Sequence, residues 1–217
     1  MNVPLYPLFV SLRGRGCVVV GGNEMAEGKI RELLDAGARI RVISPVVSEQ
    51  IGAWSLAGTL RWEARLYEEG DLRDIFLVVS VADAETNAKV FKEAETRKTL
   101  CNAVDDIKHC NCYASAVVRR GPLQIAISTS GQSPALAQRL RKELEERFGA
   151  EFALWVKRLG ELRSRLFQDK SIDRESRRAI LHEEASASAL EAFRNSLKEE
   201  ILSQTSGTDS VGCAKLP

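Results

Sequence analysis

The stretch "CVVVGGNEMAEGKIRELLDAGARIRVISP", Cys17 to Pro45, decides how the chain is read. "CVVVGG" is short enough for a strand and apolar enough to be buried on both faces. After it Ala26, Ile30, Leu33 and Leu34 recur at helical spacing, and Gly37 closes the helix. "RIRVISP" follows as a second strand. Strand, glycine turn, helix and strand in this order open a dinucleotide-binding fold. Its first glycine makes the turn, its second gives the phosphates room, and its third position packs helix on strand. Gly21, Asn23 and Ala26 hold those places. Asn tolerates left-handed backbone angles better than most residues, so the turn survives, but its side chain takes up space near the phosphates. Gly22 still offers a close backbone approach, and the helix N-terminus remains an anion site. The acid expected ~20 residues on, to hold a ribose hydroxyl, is replaced by Ser44. A hydroxyl there discriminates poorly between NAD and NADP.

Outward from this unit the alternation continues. The pattern predicts a helix from Ser48 to Ala57, a strand near "LRWEARLY", a strong strand at "IFLVVSVAD", a helix through "ETNAKVFKEAETR" and a strand at "TLCNAVD". Strands alternating with helices predict a parallel sheet with right-handed crossovers. The pattern then changes. "YASAVVRRGPLQIAIST" reads as two strands joined at Arg120-Gly121-Pro122 with no helix between them. A helix follows, with Ser133 as its cap, Pro134 at its first position and Leu136, Leu140 and Leu144 along one face. From Ala150 to about Gln204 the chain predicts two or three more helices, and the small, polar residues 206–217 a disordered tail.

Bulk properties bound the function. With 217 residues, 44% of them apolar and 28% charged, the chain has the make-up of a globular protein with one ordinary domain and a smaller one. A net charge of +1 argues against nucleic-acid binding through a broad basic face. No apolar run approaches the ~20 residues that span a bilayer, and "MNVPLYPLFVSLRGRG" lacks the parts of a secretory signal. Five cysteines at irregular spacing fit a reduced compartment better than a disulfide framework, so a cytoplasmic location is expected.

Four segments in register resemble one family, the precorrin-2 dehydrogenase / sirohydrochlorin ferrochelatase enzymes of sirohaem synthesis. That family shows "YPLFLxLxGRxxLVVGGGxVAxRK", "ATDDxxxN", "NVVDDxxxCNFxxPA" and "STxGxSPALAxxLRxxLE". Here they read "YPLFVSLRGRGCVVVGGNEMAEGK", "SVADAETN", "NAVDDIKHCNCYASA" and "STSGQSPALAQRLRKELE", from Tyr6 to about Glu145. The resemblance implies an NAD-binding Rossmann-like domain over 1–113, a strand-and-helix dimerisation segment over 114–149 and a helical C-terminal domain over 150–205. It also implies an acidic tetrapyrrole substrate, NAD as hydride acceptor, a homodimer and, in bifunctional members, insertion of ferrous ion at the same cleft.

Candidate site residues follow. Asp105 matches the aspartate that the family uses in both steps, and a carboxylate beyond the end of a strand near the cofactor crevice can take a proton from a ring or a pyrrole nitrogen. Asn102 is expected to fix the loop. Gly21, Gly22, Asn23, Met25, Ala26, Ser44 and Val81 are expected to line the cofactor site. Ser128 matches a position that some members place in the tetrapyrrole cleft, and Arg119 and Arg120, beside a turn, are candidate partners for substrate carboxylates. "HCNC", His109 to Cys112, together with Cys101 suggests zinc, iron or cobalt. Since the motif already accounts for Cys110 and Asn111, small buried thiols are the expected role and no metal site is assigned.

The departures cluster around the crevice. Asn23 and Gly28 replace a glycine and an arginine, Val81 and Ala82 a threonine and an acid, and Cys112, Ala114 and Ser115 the aromatic residues and proline of the third motif. Alternatives to an active dehydrogenase therefore stay open: a member reduced to metal insertion, or a non-enzymatic tetrapyrrole- or nucleotide-binding protein of the same fold.

Overall fold

The computed structural model describes residues 5–206. They fall into two compact units. One runs to Ala114 and takes in Ser130–Ser133; the other holds Ser115–Thr129 and the chain from Pro134 onward.

The first unit is built on β1 (Gly16–Val20), α1 (Glu24–Asp35), β2 (Arg39–Ile43), α2 (Glu49–Leu56), β3 (Arg61–Glu63), β4 (Leu77–Ser80), α3 (Ala84–Arg97) and β5 (Leu100–Ala103). The five strands form one parallel sheet in the order β3-β2-β1-β4-β5. Successive side chains of a strand face opposite ways, and β1 shows it. Cys17 and Val19 pack with Ala26, Ile30 and Leu33 of α1 and Ile51 of α2, whereas Val18 and Val20 pack with Val90 and Ala94 of α3. The central strand is thus covered on both faces, as its unbroken apolar run predicts.

β3 and β4 are shorter than the sequence pattern suggests. Beyond Glu63 the chain turns back, because the Arg65 N–H bonds the Glu63 carbonyl at 2.9 Å and the Arg65 guanidinium bridges Glu63 and Asp71. At β4 the sheet bonding outlasts the strand by a residue at each end, through Phe76 to Gly16 and Val81 to Val20. The outer edge of β5 is covered by its own return loop, in which the Asn111 and Cys112 N–H groups both bond the Cys101 carbonyl.

The second unit opens with an antiparallel pair, β6 (Ala116–Arg120) and β7 (Leu123–Ile127), turning at Gly121-Pro122 as read. Gly121 has φ +57, and a Cβ there would stand 3.0 Å from the Ala153 Cβ, so the turn needs glycine twice over. Four helices follow: α4 (Pro134–Arg147), α5 (Glu151–Gln168), α6 (Arg174–Glu184) and α7 (Ala187–Ser206). Phe148, Phe152 and Trp155 stack edge to face, and Arg194 of α7 reaches Glu151 of α5 at 2.6 Å. Ser206 ends α7, and the remainder of the expected tail lies outside the described residues. No described helix is long and apolar enough to cross a membrane.

Candidate active site

In an open parallel sheet, ligands bind beyond the carboxyl ends of the strands where the strand order reverses. Here that point lies between β1 and β4, the two strands flanking the start of the fold. The loop after β1 carries the glycines. Gly21 takes φ +112 and lies so close to the β4 loop that a Cβ would stand 2.5 Å from the Val81 carbonyl oxygen. Gly22 is closed in from the other side, since a Cβ there would run into the Val46 carbonyl oxygen and stand 2.8 Å from Val47 Cγ1. Its own carbonyl accepts the Ser48 N–H at 2.8 Å. Both glycines are therefore demanded by the protein's own backbone.

Asn23 does not take the left-handed conformation that the sequence allows it. It is extended (φ -83, ψ -179) and caps α1, with Oδ1 accepting the Ala26 N–H at 3.0 Å. Gly21 supplies the turn instead. Ala26 is fully buried against the sheet, the contact expected of the third fingerprint position. The N–H groups of Gly22, Asn23, Glu24 and Met25 take no protein acceptor among the described residues. They form the positive start of a 12-residue helix. This donor set suits a pyrophosphate. Glu24 and Glu27 stand in the same turn.

Ser44 is buried, and its hydroxyl donates to the Val46 carbonyl at 2.6 Å, leaving its lone pairs as what it can offer a ribose. Beside the starts of α1 and α2 lies a hollow of about 570 Å³ lined by Glu24, Glu27, Ser48, Glu49, Gln50 and Ala53. Val81 meets the glycine turn through its carbonyl, so the threonine-to-valine departure leaves that contact untouched.

After β5 comes the loop with the two aspartates, and the structure separates them. Asp105 is exposed, with φ +59, a left-handed conformation uncommon for a residue with a side chain. Asp106 turns inward. Its Oδ2 accepts from the His109 ring Nδ1 at 2.7 Å and from Asn87 Nδ2 at 3.3 Å. The His109 hydrogen bond holds the Asp106 carboxyl below its usual range, with Asn87 assisting. Asn87 in turn accepts the Ser80 hydroxyl at 2.6 Å, with both residues buried. Sequence reasoning quoted Ser80 and Asn87 as the ends of the second motif but gave neither of them a role. The signal was present: Asn87, Val90 and Ala94 recur at helical spacing on the buried face of α3, a polar residue in an apolar stripe.

The cysteine group is structural in its contacts. Cys110 Sγ accepts the Ala103 N–H at 3.2 Å and faces the Ala103 carbonyl at 3.1 Å, while Cys101 Sγ meets the His109 carbonyl at 3.5 Å. Asn102 Nδ2 donates to the Cys112 carbonyl at 3.1 Å, the loop-fixing contact expected of it. Burial pushes the Cys101 and Cys112 thiols up to about 12 and raises Cys110 as well. Among the described residues, no three His, Cys, Asp or Glu side chains form a group that could hold a metal.

In the second unit Arg119 is exposed on β6. Arg120 is engaged within its own unit. Its Nε donates to the Phe148 carbonyl at 2.7 Å and its Nη2 to the Glu145 carbonyl at 3.0 Å, closing the C-terminal end of α4. Ser128 lies just beyond β7, in the link to α4.

Comparison with known proteins agrees with this geometry. The family described as "Putative NAD(P)-binding" matches residues 8–116, half of the chain, and that described as "Sirohaem biosynthesis protein central" matches 120–147. A "Siroheme synthase" of Shigella boydii is 38% identical over 173 residues, covering 79% of this chain and 38% of its own length. "Siroheme synthase 1" of Serratia proteamaculans is 36% identical, covering 79% of this chain and 36% of its own. The chain thus spans little more than a third of the length of these relatives. A solved structure, "SirC, precorrin-2 dehydrogenase", superposes with a TM-score of 0.72 at 27% identity, covering 90% of this chain and 100% of that one. With the glycine turn, the inward-tied aspartate and both family matches in register, the chain belongs to the precorrin-2 dehydrogenase / sirohydrochlorin ferrochelatase family.

Proposed function

We propose that this chain oxidises precorrin-2 to sirohydrochlorin, with NAD as hydride acceptor and Asp105 as the base. The observation that carries the reading is the split fate of the adjacent aspartates. Asp106 is tied into the fold, while Asp105 is presented beyond β5 in a backbone conformation that the surrounding loop must hold. The likeness to a solved precorrin-2 dehydrogenase supports it.

The N–H groups of Gly22 to Met25 would hold the pyrophosphate, with Gly21 and Ala26 allowing the turn and the helix packing that aim them. Bound there, NAD supplies the hydride acceptor. The reaction removes one hydride and one proton from the macrocycle, and the Asp105 carboxylate takes the proton. NAD is favoured over NADP because the hollow beside α1 and α2 is lined by three glutamates and no cation, surroundings that oppose a 2′-phosphate. Exposed Arg119 and Ser128 are assigned to the acidic groups of the substrate, and Arg120 is withdrawn from that role.

The same reading takes residues 1–113 as the cofactor domain, 114–149 as a dimerisation segment in a homodimer, and the cytoplasm as the location. Ferrous ion enters as a second substrate and displaces two pyrrole protons, which exposed Asp105 would take one at a time and release to solvent. The test is spectroscopic. Purified chain, precorrin-2 and NAD should give sirohydrochlorin and NADH in equal amounts, and ferrous ion added afterwards should give sirohaem. Unchanged precorrin-2 with either NAD or NADP would sink the dehydrogenase reading. Product formed with NAD but no response to iron would remove the lyase alone.

A further inference from the structure

Granting that Asp105 is the base, we propose that the chain of hydrogen bonds Ser80–Asn87–Asp106–His109 is the device that positions it, with His109 the adjustable end. The links run from the end of β4, through α3, to the loop after β5. The Ser80 hydroxyl donates to Asn87 Oδ1 at 2.6 Å, which fixes the amide so that Nδ2 faces Asp106 at 3.3 Å. His109 Nδ1 lies 2.7 Å from the same Asp106 oxygen, and an ionised carboxylate can only accept, so the ring nitrogen donates. The backbone closes the loop from within: the His109 N–H bonds the Asp106 carbonyl at 3.0 Å, and the Asp106 N–H bonds the Ala103 carbonyl at 3.3 Å. The His109 ring also rests against Phe91 of α3, with centroids 5.8 Å apart.

Asp105 sits between two anchored neighbours. The Val104 N–H bonds the Ser80 carbonyl at 2.9 Å on one side, and Asp106 is held by side chain and backbone on the other. A residue with φ +59 stays there only while its flanks are fixed. The chain also has a second end. Ser80 precedes Val81, whose carbonyl lies against the Gly21 turn. One network therefore links the loop that offers the base with the turn that holds the cofactor. Two adjacent aspartates also need to be told apart, and the network does so by taking Asp106 out of the reaction.

His109 is partly exposed, with 26% of its side chain accessible, so it can be replaced without emptying the core. The experiment uses the full chain with precorrin-2 and NAD. His109→Leu removes the donor, His109→Asn returns a nitrogen near the Nδ1 position, and Asp105→Asn serves as the control for the base. A displaced general base costs rate rather than binding, so kcat should fall about tenfold in His109→Leu, with KM for NAD and for precorrin-2 moved by less than about twofold. His109→Asn should recover most of the loss. Three results overturn the proposal: a parental kcat in His109→Leu, a loss confined to KM, or a loss that His109→Asn fails to repair. Turnover by Asp105→Asn at the parental rate would instead remove the base itself. Silence in His109→Leu beside a dead Asp105→Asn removes only the positioning role.

Discussion

Asp105 combines a reactive group with a backbone that a side chain disfavours, and the two can be pulled apart by substitution. Three replacements all delete the negative charge. Asparagine keeps a short polar side chain that tolerates left-handed angles, alanine keeps only the Cβ, and glycine removes it. At φ +59 the Cβ of an alanine costs about 1–2 kcal/mol, whereas Asp and Asn recover part of this through local hydrogen bonds. Glycine escapes the clash but loses about 0.4–1 kcal/mol through the greater freedom of the unfolded chain. Asp105→Gly should therefore be more stable than Asp105→Ala by about 1 kcal/mol. Asp105→Asn should stay near the parent. Urea titration followed by tryptophan fluorescence suits the measurement, because Trp54 and Trp62 both pack against the core of the first unit. All three variants should lose about 10²–10⁴ in kcat, the usual worth of a general base. An alanine variant as stable as the glycine variant would mean that the loop does not hold residue 105 in a left-handed conformation. A glycine variant that still turns over would mean that the charge is not needed. Either result breaks the link between strain and chemistry on which the site is built.

The other glycines give a contrast in sign. Gly28 lies exposed inside α1, and a Cβ placed there would meet nothing within 4 Å, so Gly28→Ala should stabilise by about 0.5–1 kcal/mol. Gly22→Ala should cost about 1–3 kcal/mol, since its Cβ would meet the Val46 backbone, and it should raise KM for NAD as the turn shifts; the same urea titration and an NAD saturation curve read both. Arg120→Ala should lower the melting temperature by unlatching the end of α4 while leaving KM for precorrin-2 unchanged, whereas Arg119→Ala should raise that KM and leave melting alone. Burial raises the Asp71 pKa, but hydrogen bonds from Arg65 and the Glu68 N–H outweigh it, and the net value lies below the usual range. A carboxyl depressed by folding stabilises in full above its unfolded value, about 3.9, and loses that contribution as pH falls through the folded value. Stability measured from pH 7 down to pH 2 should therefore decline below about pH 4, and Asp71→Asn should start lower and decline less.

How far the sequence could be read depended on whether a residue's partner is near it in the chain. The β1 run announced a strand buried on both faces, and its alternate residues duly divide between the two cores. The hairpin at Gly121-Pro122 and the capped α2 needed only neighbouring letters. Asn23 was harder, because asparagine favours both left-handed turns and helix caps. The letter could not say which, and the choice fell to the cap once Gly21 had taken φ +112. Gly22 looked like room for phosphate, but its missing Cβ faces Val46 and Val47, a contact that exists only after β2 has returned beside β1. Arg120 looked like a hand held out to substrate. The folded β6 sets it against the end of a helix that begins fourteen residues later.

This bears on the departures from the family pattern. Asn23 replaces a glycine in the phosphate turn, yet its Oδ1 is folded back onto the Ala26 N–H. The substitution takes one donor from the start of α1 and gives that helix a side-chain cap, a gain of about 0.3 kcal/mol over the glycine it replaces. Val81 replaces a threonine, its carbonyl keeps the close approach to the Gly21 turn, and its side chain packs against the core of the first unit. Cys112 replaces an aromatic residue, and its carbonyl still receives the Asn102 amide. In each case the contacts of the turn and the loop are kept by backbone atoms or by a neighbour, while the new side chain finds its own place as a helix cap at 23, against the core at 81 and half-buried at 112. The rim that carries these departures is held from behind, by the two enclosed glycines on one side and the Asp106 network on the other.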